Sequence, residues 1–248
     1  MPTPFAPSAE PAARGGVLSP MRPTILTACA AFALAAPVLS AQVTTVDEGS
    51  FSILRNGERI GREEFTIRRT PGAEGQPVLV ASATVAYDQR RIAPALRTDS
   101  AGAPIAYALE VRAGTEVQEQ LKGAVGRGRF SAVTRTPRGE SAREYIVTDG
   151  ALILDDEIFH QYYFVARAAR SGGIPVVVPR RNAQVTMRIE DGGTATVTIG
   201  GRALPARRLT LREPGGARRD ILIDAQGRVL QVELPASGIV ATRDDPPR

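Results

Sequence analysis

Apolar side chains recur at every second position of this chain, and that period limits its fold more than any other feature. Ile105, Tyr107, Leu109 and Val111 alternate with Ala106, Ala108, Glu110 and Arg112, and Val185, Met187 and Ile189 alternate with Thr186, Arg188 and Glu190. Successive side chains of a strand point to opposite faces, so this pattern buries one face of a sheet and leaves the other to water. The same spacing returns at Phe51 and Ile53, at Ala195, Val197 and Ile199, and at Leu230, Val232 and Leu234. Turn formers separate the runs. Asn56-Gly57 is a type I′ hairpin signal, because both central residues of that turn need positive φ. Asp191-Gly192-Gly193, Gly200-Gly201, Pro214-Gly215-Gly216 and Ala225-Gln226-Gly227 read as further turns, and Gly61 as a bulge. Strands spaced about ten residues apart predict a mainly β fold: one large curved antiparallel sheet, half-barrel or sandwich, of about a dozen strands.

One segment breaks the period. Asp155 to Arg170 reads as a helix, with Asp155 as its N-cap, Asp156 and Glu157 at the positive end of the dipole, and Gly172-Gly173 as the stop. Its apolar surface is too broad for a solvated helix, so it should lie across the inner face of the sheet. Space left between the two would form a ligand cavity lined by Ile158, Phe159, Tyr162, Tyr163 and Phe164, with Tyr107 and Leu109 from the sheet. The competing reading of this aromatic cluster is ordinary core packing.

The N-terminal residues 1–41 form an extension and a targeting segment. Met21-Arg22 supplies a cation, an apolar run follows from Ile25 to Leu39, and Ser40-Ala41 offers small side chains to a signal peptidase. The expectation is a Sec-type signal cleaved near Ala41, with Met1 or Met21 as the start. Residues 42–248 are then left as a single antiparallel β domain in the periplasm or secreted. The apolar run falls short of the roughly 20 residues that span a bilayer, and no later segment is long or apolar enough to do so. Leu26-Thr27-Ala28-Cys29 matches the local pattern of a lipoprotein signal, but most of the apolar core follows the cysteine, which favours a soluble exported form. Cys29 is the one cysteine, so cleavage leaves no disulfide and no thiol chemistry.

The remaining composition narrows the function. The formal charge is +5 and Lys122 is the only lysine. The arginines sit among acids, as in Arg62-Glu63-Glu64 and Arg188-Ile189-Glu190, without the basic runs and interleaved aromatics of a nucleic-acid groove. His160 is the only histidine, no Gly-x-Ser-x-Gly elbow accompanies it, and on a helix it falls toward the surface. Glu63 and Glu64 are neighbours in a strand, so they point to opposite faces and cannot act as a glycosidase pair. Asp155-Asp156-Glu157 and Asp244-Asp245 lack the spacing of a calcium loop. No catalytic residue, metal ligand or cofactor is therefore expected.

Three stretches carry a resemblance: the hairpin from Phe51 to Gly61, the mid-chain helix, and the ending from Ile223 to Pro235 followed by Gly238 to Arg243. Together they resemble uncharacterised exported β proteins, which in turn are similar to the periplasmic lipoprotein-carrier-like (LolA/LppX-like) half-barrels. That resemblance implies a curved antiparallel sheet covered by helix and holding acyl chains or other apolar matter. The expected function is non-covalent binding of an apolar or amphipathic ligand, a lipid or an acylated polypeptide. The alternative is an envelope protein–protein interaction or assembly module without a ligand cavity.

Overall fold

A computed structural model describes residues 42–168 and 172–248. The signal segment, Cys29 and the expected helix end at Ala169-Arg170 lie outside the described residues. The first half of the chain is a run of hairpins: β1 (Thr44–Arg55), β2 (Glu58–Pro71), β3 (Pro77–Tyr87), β4 (Arg90–Asp99), β5 (Pro104–Ala113), β6 (Glu116–Gly126), β7 (Arg129–Thr136) and β8 (Gly139–Ile146). The second half comprises β9 (Leu152–Ile153), α1 (Tyr162–Ala168), β10 (Gly172–Val178), β11 (Ala183–Ile199), β12 (Arg202–Arg212), β13 (Arg218–Ile223), β14 (Val229–Leu234) and β15 (Ile239–Arg243).

All fifteen strands belong to one curved sheet, three or so beyond the expected dozen, in the order β8-β7-β6-β5-β4-β3-β2-β1-β15-β14-β13-β12-β11-β10-β9. The two halves are meanders that meet where β1 pairs antiparallel with β15, Phe51 opposite Arg243 and Ile53 opposite Ala241. Only the short β9 runs parallel to its neighbour, β10. The sheet does not close through a backbone ladder. Side chains draw its two ends together instead: Tyr145 Oη donates to Asn182 Oδ1 at 3.1 Å. The Gln184 amide accepts the Ile146 N–H at 3.1 Å and donates to the Ile146 carbonyl at 2.6 Å.

Local chemistry accounts for the register. Asn56 and Gly57 both have positive φ, 51° and 87°, as a type I′ turn demands. The pairing of β1 with β2 shifts beside Gly61, where Ile60 is the extra residue of a bulge. β4 escapes the sequence reading because Pro94 lies in its middle. Proline brings no N–H to a ladder, and the β3–β4 pairing lapses between Ser82–Ala95 and Val85–Ile92. Ile92 and Leu96 are nonetheless fully buried.

Asp191-Gly192-Gly193 is not a turn. β11 runs through it, and the register with β12 steps from Asp191–Leu209 to Thr194–Arg207, the signature of a bulge. Gly193 takes φ +77°, and its N–H donates to the Asp191 carboxylate at 2.9 Å. The extra residue reverses which face each later side chain meets. Met187 and Ile189 therefore point into the main core, while Val197 and Ile199 pack with Ala206, Leu222 and Leu230 in a second cluster on the other face.

The helix is shorter than expected: α1 covers Tyr162–Ala168, and 155–161 is an irregular, buried approach to it. Glu157 has φ +66°, which no α-helix accommodates, and the Asp155 carboxylate bonds elsewhere instead of capping. The buried side chains of both meanders, α1 and this approach still form one continuous apolar cluster. Deleting Gly192 should return Val197 and Ile199 to the opposite face. Urea unfolding is expected to show a loss of about 3 kcal/mol, since each apolar side chain exposed forfeits about 1.5–3 kcal/mol.

Candidate functional site

Residues 155–161 are fixed to the sheet by buried polar groups. Glu63 stands on the inner face of β2, fully buried, while its neighbour Glu64 is exposed on the other face, as strand alternation requires. The Glu63 carboxylate accepts the N–H of Phe159 at 2.6 Å and that of His160 at 2.8 Å, and its Oε1 lies 2.6 Å from His160 Nδ1. His160 is thus 1% exposed, against the expectation of a surface position. The helical-face argument fails because the chain there is not helical. Its ring stacks on Phe65, which stacks in turn on Phe51 and lies beneath the Arg243 guanidinium. Arg243 forms a buried pair with Asp47 at 2.8 Å.

A second anchor sits five residues earlier. Asp155 accepts the Tyr107 hydroxyl at 2.8 Å and the Arg180 N–H at 3.1 Å, and its own N–H donates to Gln161 Oε1 at 2.7 Å. Burial pushes the Asp155 carboxyl up from 3.8 to about 6, opposed by those hydrogen bonds and by the Arg180 charge. Burial, reinforced by Asp155, also drives the Tyr107 phenol well above its ordinary value. Further along, Arg219 reaches the Tyr162 hydroxyl, Asp156 and Glu213, each at 3.3 Å.

The seven residues expected to line a cavity are brought together by this arrangement. Ile158, Phe159, Tyr162, Tyr163, Phe164, Tyr107 and Leu109 are all buried in the main apolar cluster. The two largest depressions described have other linings. One, of about 750 Å³, lies over β1–β3 and is polar. Acids and arginines mix in its lining, and two of the arginines are paired in place: Arg243 with Asp47, and Arg62 with Glu64 and Asp244.

The other depression, about 680 Å³, is a groove between the end of α1, the start of β12, the β13–β14 turn and Pro246-Pro247. Leu204, Pro205, Ala206, Ile223 and Leu230 supply its apolar floor, of which Leu204 and Pro205 are the side chains that reach solvent. Arg167, Arg202, Arg207 and Arg228 also line it, against one acid, Asp224. Asp224 is taken by Arg228 at 2.7 Å, and Arg207 is held by Asp191 at 2.8 Å. Arg167 stacks on Tyr163 and donates to the Ser100 carbonyl; neither it nor Arg202 forms an ion pair among the described residues. Sequence reading missed this groove because its apolar floor depends on the bulge in β11, which looked like a turn. The alternation of Ala195, Val197 and Ile199 was the available signal, without the face they serve.

These features define a β-barrel-like protein built on one unclosed sheet. No family model and no curated protein matches the chain. Among solved structures it is similar to a β-barrel-like protein of the domain of unknown function DUF1849 from Brucella abortus. That likeness has a TM-score of 0.50 at 9% identity and covers 83% of this chain and 98% of that one. A DUF1089 family protein from Pseudomonas aeruginosa aligns at a TM-score of 0.37 and 16% identity, over 76% of this chain and 90% of that one. The first likeness concerns the fold alone. It agrees with the expected mainly β, half-barrel-like architecture and does not extend to the lipoprotein carriers.

Two outcomes follow from the anchors. Replacing Glu63 by Ala strands the N–H groups of Phe159 and His160, and chemical denaturation should register a loss of about 3 kcal/mol. Asp155 gives a pH signature. Its folded value lies above its unfolded one, so its contribution to stability is fully present below pH 3.8 and is lost as the pH rises through about 6. Asp155→Asn should remove that decline, improving relative to the parent by up to about 3 kcal/mol between pH 4 and pH 7 in parallel urea titrations.

Proposed function

We propose that this chain is an exported, non-catalytic binding protein that takes an apolar or amphipathic ligand non-covalently in the groove beside α1. The supporting observation is the groove's lining: apolar residues of β12–β14 together with four arginines and one acid, in a depression of about 680 Å³. That volume falls within the range of small-molecule pockets, which are mostly apolar with a few placed polar groups. The interior beneath residues 155–168 supports a structural role for the aromatic cluster, since its members pack against the sheet, with Glu63 and Asp155 pinning the approach to α1. The only histidine is consumed in that packing, which favours binding over chemistry.

One observation favours the alternative of an envelope interaction module. β8 is an edge strand exposed along nearly all its length. Ile146 turns its N–H and carbonyl away from β7, toward Gln184. By strand alternation the backbones of Glu140, Ala142 and Glu144 face outward too, where an added strand could pair with them, displacing the Arg143 guanidinium from the Ala142 carbonyl. A partner crosslinked through β8, with no ligand uptake at the groove, would favour this reading.

Nile red, a neutral apolar dye, should brighten on titration with the purified protein and be displaced by dodecanol. Leu204→Arg places a charge on a partly exposed floor position that also packs against the second apolar cluster, and should weaken dye binding about tenfold when compared well below the variant's own thermal midpoint. Dye binding unaffected by that substitution would sink the proposal.

A further inference from the structure

We infer that the ligand of the groove carries an anionic head, and that Arg167 and Arg202 recognise it. This rests on the groove being the binding site. Four arginines line the groove around Leu204 and Pro205, and the one acid in the lining, Asp224, is already matched by Arg228. Arg207 is matched from outside by Asp191. Two cationic charges are therefore left without an acidic partner among the described residues, at the margin of an apolar depression.

That juxtaposition selects a chemistry. Low-dielectric walls strengthen the field of nearby charges, so a groove bordered by unmatched guanidinium groups attracts anions and repels cations. The planar guanidinium suits carboxylate or phosphate oxygens, which it can meet with two parallel N–H donors. Arg167 is partly ordered already, by its stacking on Tyr163 and its bond to the Ser100 carbonyl, which lowers the entropy lost when it engages a ligand. The aliphatic stems of both arginines can lie along the apolar floor while their heads meet the acid. The polar depression over β1–β3 offers no such contrast, because acids (Asp47, Glu48, Glu64 and Asp245) alternate with arginines around a polar lining. The ligand class is a single-chain amphiphile with an acidic head, rather than an acylated polypeptide.

The test is competition of laurate, dodecanol and dodecyltrimethylammonium, below their micellar concentrations, against Nile red on the intact protein. Laurate should compete about tenfold better than dodecanol and dodecyltrimethylammonium worst, with the spread shrinking in high salt. Arg202→Glu, at an exposed position that should fold normally, should abolish the advantage of laurate over dodecanol, and Arg167→Glu should act in the same direction. Equal competition by all three would overturn the anionic head while leaving the groove as the site. Failure of all three to displace a dye that Leu204→Arg also fails to affect would overturn both. Capture of a palmitoylated peptide but of no free amphiphile would reject the amphiphile in favour of an acylated chain.

Discussion

A carboxylate removed from water must find compensating donors, and the position of Glu63 shows what this fold does with one. Two backbone N–H groups and an imidazole nitrogen converge on it, all from residues 159 and 160. The contact joins β2 of one meander to the connection that carries α1 in the other. Were the carboxylate absent, those amides would be buried without partners, and only apolar contacts such as the His160–Phe65 stack would hold the approach to α1 against β2. Asp155 repeats the device toward β5 through Tyr107. The apolar cluster supplies most of the burial, while these two acids determine where the irregular segment sits within it.

The sheet was largely legible in the sequence because side-chain alternation is a local property. Strands such as β5 and β14 announce themselves through alternation alone, and the Asn56-Gly57 turn fixes its hairpin without help from distant residues. What escaped was decided by partners far along the chain. Pro94 disguised β4, whose place is secured by β5 on one side. Asp191-Gly192-Gly193 has the composition of a turn, and only the uninterrupted presence of β12 beside it makes it a bulge. The approach to α1 has the charges and apolar spacing of a helix, yet Glu63 and Tyr107 claim its polar groups first.

The groove beside α1 follows from the same non-local effects. A single inserted residue in β11 moves Val197 and Ile199 across the sheet, and the small core they build with Leu222 and Leu230 supports the floor on which Leu204 and Pro205 lie. Alternation alone would have assigned those residues to the main core. The arginines at the rim were visible in the sequence as scattered cations. Their significance lies in which of them the fold matches with an acid and which it leaves unmatched.

The place where the meanders join has a consequence for assembly. Within each meander nearly every strand pairs with its neighbour in sequence, contacts that form quickly because little chain must be looped to make them. The β1–β15 pairing spans almost the whole described chain. The first meander can therefore take shape while its own residues emerge, yet it keeps an open flank along β1 until the last strand arrives to cover it. That delay makes β15 the strand that turns two separate ribbons into a single body.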